Sequence, residues 1–207
     1  MWPRRKMITG LFLAVTITVC GAFLGIDNRL TNVGSVKPRP DMPVPDSIIS
    51  KKAFLQVYSV LMSPRCMNCH PSGDAPLQGD DSHVHTQGVL RGKDGNGMYA
   101  LKCTNCHQPK NVPGPGQPPG NPKWKLPPAE TKMVFQGKTP HELAAQMLDP
   151  KANGGKSKAQ LIDHVTNDTL VASGWHPGQG HSLPPLSHPA FAKVFRQWID
   201  KGAYLPD

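Results

Sequence analysis

Aromatic side chains make up only 6% of the chain and charged ones 18%. For 207 residues that is a thin supply for a core and its surface. Alternation of apolar and polar residues is almost missing, which excludes a sheet-built fold. Cysteine is scarce as well. Of five cysteines, four belong to two short motifs, so no pair remains for a structural disulfide. No acid precedes Asp27, whereas Arg4, Arg5 and Lys6 stand close to the N-terminus. Elsewhere Lys and Arg are scattered, with neither a basic helix nor an aromatic-interleaved basic patch. Despite a formal net charge of +9, nucleic acid is therefore not the expected partner, and an acidic protein fits better.

What the chain has in plenty is Pro (23) and Gly (20), both of which resist regular helix and strand. A loop-rich protein with so little apolar mass needs something else inside it. Residues 7–26 are mostly apolar and follow a positive start, which is the pattern of an export signal. The stretch is also long enough, at about 20 residues, to anchor in a bilayer. Cys20 lies within it. Residues 1–26 are thus expected to be a signal peptide or membrane anchor, with the bulk of the protein in the periplasm, tethered to the inner membrane if the segment is uncleaved. Residues 27–46 carry Pro38, Pro40, Pro43 and Pro45 and read as a linker.

Residues 47–207 are expected to form one compact domain, mainly α and rich in loops. Ser47 is a plausible N-cap for a helix in which Ile48, Ile49, Phe54, Val57, Tyr58, Val60 and Leu61 lie mainly on one face and which runs straight into the first motif. Residues 71–100 are polar and Gly-rich. Residues 108–128 are full of Pro, with Trp124 as their one large apolar side chain, expected to pack on a bound group or on the core. Thr139-Pro140-His141-Glu142 has the form of a helix start. Further helices are expected over 158–171 and 189–201, the last stopped by Gly202.

The two motifs are Cys66-Met67-Asn68-Cys69-His70 and Cys103-Thr104-Asn105-Cys106-His107. Two thiols at this spacing can each add to one vinyl group of haem, and the adjacent imidazole then reaches the iron as its proximal ligand. A zinc site built from two Cys pairs is the rival. Thirty-three residues separate Cys69 from Cys103, however, and a zinc ribbon has no need of a His directly after each pair. Two haem c groups are therefore expected, attached through Cys66, Cys69, Cys103 and Cys106 and ligated by His70 and His107. With Cys66 and Cys103 only 37 residues apart, no complete domain fits around the first haem before the second begins. Both must share one unit, near enough for direct electron exchange.

Each iron can take a ligand on its far side, usually Met or His. His83 and His85 stand in a polar loop able to fold back on the first haem, and His85 is the preferred of the two. For the second haem the candidates are His164, on the apolar face of its helix, and Met133. His141, His176, His181 and His188 sit beside Pro or Gly and read as surface residues. Three function classes suit two haems: an electron relay that is not itself an enzyme, a dihaem peroxidase, and a haem-based redox or gas sensor. The close motif spacing favours the relay, and a sensor would bring a signalling domain.

The segments CMNCHPSGDAPLQGDD (66–81), HTQGVLRGKDGNG (85–97), CTNCHQPKNVPG (103–114), PPGNPKWKLPP (118–128) and LIDHV…LVASGWHPG (161–178) resemble a family of exported dihaem cytochromes c. Members serve as the cytochrome subunit of isoquinoline 1-oxidoreductase-type, molybdenum-dependent dehydrogenases. The resemblance covers about 140 of 207 residues, and His85 and His164 fall where the family's pattern also has His. It implies a periplasmic dehydrogenase as electron donor and a respiratory-chain acceptor downstream. Nothing in this chain binds molybdopterin or an iron–sulfur cluster, so the donor's substrate is not implied.

Overall fold

A computed structural model describes residues 43–207. The expected export segment, with Cys20, and residues 27–42 of the expected linker lie outside the described residues. The linker yields its last position to helix α1 (Asp46–Leu61), which opens after Pro45 rather than after Ser47. The Pro45 carbonyl accepts from Ile48 and Ile49, and Asp46 places a negative charge in the first turn, where the helix dipole favours it.

Helix α1 does not continue into the first motif. Pro64 has no N–H and pushes Ser63 into extended backbone, so a separate turn, α2 (Pro64–Met67), carries Cys66. The chain then makes two small antiparallel pairs. The first joins β1 (Leu77–Gln78) and β2 (His83–Val84), and the second joins β3 (Gly97–Met98) and β4 (Leu101–Lys102). A turn with positive φ at Gly92, Gly95 and Gly97 precedes the second motif. At Gly95 any side chain is barred, because a Cβ would stand 2.0 Å from the Leu126 carbonyl oxygen. Residues 108–128 contain no helix, as their prolines predict.

Helix α3 (Pro140–Leu148) has the expected start: the Thr139 side chain and Glu142 satisfy each other's backbone N–H groups, with Pro140 in the first turn. Helix α4 (Lys158–Asn167) is shorter than expected. Asp168 turns its carboxylate onto the Leu170 N–H and caps a new turn, α5 (Thr169–Ala172), instead of continuing the old one. Helix α6 (His188–Asp200) ends at Gly202, with φ +102°.

The core lies among α1, α3, α4 and α6. Phe54 stacks at 4.5 Å on Trp198, and Leu143, Leu161, Phe191 and Phe195 close around them. Ser50 donates to the Trp198 carbonyl and accepts from Tyr204, fastening the C-terminus to α1. The described residues are thus mainly helical with long loops, and no helix among them is long and apolar enough to cross a membrane.

Candidate haem-binding site

Both motifs sit at the edge of this helical core, on chain with little regular structure. In the first, α2 turns so that His70 N–H reaches Met67, and the His70 carbonyl accepts from Phe135 and Gln136. The imidazole is stacked on Phe135 at 3.8 Å and 11°. Its Nδ1 stands 2.7 Å from the Met133 carbonyl oxygen. A carbonyl can only accept, so Nδ1 carries the hydrogen and the Nε2 lone pair is left for a metal.

The second motif repeats this geometry from unrelated sequence. His107 Nδ1 donates to the Pro119 carbonyl at 2.7 Å, and the ring is stacked on Trp124 at 4.0 Å and 9°. A ligating imidazole is ordinarily held this way, with its other nitrogen donating to a carbonyl. The four thiols of the motifs form no disulfide. Among the described residues no three His, Cys, Asp or Glu side chains converge on a point that could hold a metal ion.

Burial separates the motifs. It pushes the Cys66 thiol up to about 12 and Cys69 to about 11, and it pulls His70 down to about 4. Cys103 is raised and His107 lowered for the same reason, but Cys106 is exposed. The motifs remain electrostatic neighbours: Cys103 acts on Cys69.

The three expected far-side ligands are all near a motif, in each case the other one from that expected. His85, expected at the first haem, lies across from His107, with ring centres 6.4 Å apart. Two imidazoles on opposite sides of one metal need about 2 Å per metal–nitrogen bond and about 1 Å more to each ring centre, or about 6 Å in all. His85 Nδ1 is buried with no hydrogen-bond partner. The β1–β2 hairpin causes the change. His85 N–H bonds the Pro76 carbonyl, so the loop runs back along the first motif and delivers residue 85 beyond it. His83 is exposed and paired with Asp81.

His164, expected at the second haem, lies instead close enough to His70 for its charge to lower that group's pKa, after the larger effect of burial. Asp168 Oδ2 stands 3.1 Å from His164 Nδ1 and orients the ring from one turn along α4. Met133, also expected at the second haem, is at the first. Its carbonyl holds His70 from the proximal side, and its side chain packs on the helical core. It is thus poorly placed as a far-side ligand. Of the four expected surface histidines, His141 and His176 are exposed, whereas His181 and His188 are partly buried, the latter with Nε2 bonded to the Val165 carbonyl.

Sequence reasoning missed three features. Phe135 and the carbonyls of Met133 and Pro119 carry no local signal. The basic residues, scattered along the chain, have a concentrated excess: residues 91–128 hold six Lys or Arg against the single Asp94, while the other described residues balance. Compared with known proteins, the chain matches no family model, no curated protein and no solved structure.

Proposed function

We propose that this chain is an exported dihaem c-type cytochrome that takes electrons from a periplasmic dehydrogenase and passes them to a respiratory acceptor. The observation that carries this reading is the matched pair of histidines. Each CxxCH imidazole spends Nδ1–H on a backbone carbonyl and stacks on an aromatic ring, and His85 lies 6.4 Å from His107. Haem bound there would supply a one-electron couple. Cys66 and Cys69 would hold one group and Cys103 and Cys106 the other. His70 and His107 would be proximal ligands, with His164 and His85 on the far sides.

The work of the chain itself is to fix these side chains and exclude water. Phe135 and Trp124 restrict the rotation of the imidazoles, so little rearrangement accompanies a change of charge. A second histidine ligand on each haem would leave no position for peroxide or a gas, and on that ground the carrier reading is preferred to a peroxidase or sensor. The excess of lysine around the second motif suits an acidic partner, whose approach it would steer. The resemblance of residues 66–178 to dehydrogenase-associated dihaem cytochromes points to the same class of donor, molybdenum-dependent in that family.

The test is haem content and spectra of protein matured in a host that attaches haem c. Two thioether-bound haems per chain are expected, both low-spin and inert to carbon monoxide and peroxide. A haem-free chain, or a high-spin haem that reacts with peroxide, overturns the reading.

A further inference from the structure

Arg91 is a charged side chain with no solvent exposure, and no other among the described residues is so enclosed. Nη1 donates to the Pro127 carbonyl at 2.7 Å and Nη2 to the Gly73 carbonyl at 3.1 Å. Nε is buried without a hydrogen-bond partner, 3.4 Å from Asp74 Oδ1. Asp74 does not cancel the charge, because it is half exposed and shared with Lys132 Nζ at 2.8 Å. Arginine stays protonated in proteins, and with little solvent nearby its field is weakly screened.

That field falls on the first motif. The guanidinium donates to the carbonyl of Gly73, three residues past His70, and the Arg91 backbone N–H to the carbonyl of Asp74, four past it. Arg65, also nearly enclosed, adds to it beside Cys66, offset by Asp80 at the surface. The second motif lacks a counterpart. The lysines around it are in solvent. A fixed positive charge favours the state with one more electron, and burial disfavours the oxidised haem's extra charge.

We infer that Arg91 makes the first haem the higher-potential one, so that an electron arriving at the exposed second haem moves inward to the first. This rests on the dihaem reading above. In the step, ferrous iron at the second haem becomes ferric as ferric iron at the first becomes ferrous. No bond or proton is exchanged. A reduced redox partner supplies the electron.

The test is a potentiometric titration of the full, haem-loaded chain. Wild type is expected to give two waves. Arg91→Gln lowers the upper wave and leaves the lower in place. The equilibrium constant between the haems falls about tenfold, or about 59 mV for one electron. Asp74→Asn raises the same wave by less. A merely structural role for Arg91 does not predict these opposite signs. A single wild-type wave, movement of the lower wave, equal movement of both, or shifts of the same sign overturns the inference. If Arg91→Gln loses haem, Asp74→Asn decides alone, since Asp74 is at the surface. Haem is counted before titration, and a wild-type chain without two haems contradicts the dihaem reading itself.

Discussion

Two copies of one five-residue pattern sit in contrasting settings. The first motif begins in the short turn α2, just beyond the core helix α1, and both of its thiols are strongly shifted by burial. The second lies among turns and prolines, with Cys106 exposed and lysines around it. Yet the fixings of the two imidazoles match: a carbonyl on Nδ1 and an aromatic ring against the face. Chemistry that must be shared is built twice from unrelated residues, whereas burial and charge are left free to differ. The proposed relay would have use for this difference, because identical sites would give an electron no direction.

The comparison breaks most visibly when one site is removed. Cys66→Ser with Cys69→Ser should halve the haem content and, because Cys66 packs on the helical core, lower Tm by about 10 °C or more. Cys103→Ser with Cys106→Ser should halve the haem content and leave the helical core folded, with a much smaller change in Tm. Haem counting and thermal melts followed by circular dichroism check both.

The stacking partners come next. Phe135 is 5% exposed and also faces the core, so Phe135→Ala should cost about 3–5 kcal/mol in denaturant unfolding. Trp124 is half-buried on a loop, and Trp124→Ala should cost about 1 kcal/mol. Equal costs would erase the distinction between the sites. The smallest effect is expected at Met133. Its carbonyl holds His70 Nδ1 and its side chain packs on the core, so Met133→Leu should leave both low-spin spectra unchanged and cost less than about 1.5 kcal/mol.

The helices were readable because their signals are local. Thr139-Pro140-His141-Glu142 caps α3 through residues three apart, and the apolar spacing of α1 and α6 survives in the core. Their boundaries moved where one residue outweighed the periodicity: Pro64 ended α1 early, and Asp168 cut α4. The motif residues were legible because the proposed thioether attachment would fix their spacing. The partners across from them were not. Chain distance from His70 suggests His85, but two residue pairs between β1 and β2 decide where that loop is delivered. Arg91 looks like any loop arginine, and only the carbonyls of Gly73 and Pro127, brought from 18 and 36 residues away, make it an internal charge.

The crossed pairing of histidines is the claim on which the site stands, and one spectrum tests it. In the chain that keeps only the first haem, through Cys103→Ser and Cys106→Ser, electron paramagnetic resonance should show a low-spin iron. Adding His85→Ala should leave that signal intact, and adding His164→Ala should turn it high-spin. A high-spin signal with His85→Ala, and none with His164→Ala, would contradict the account.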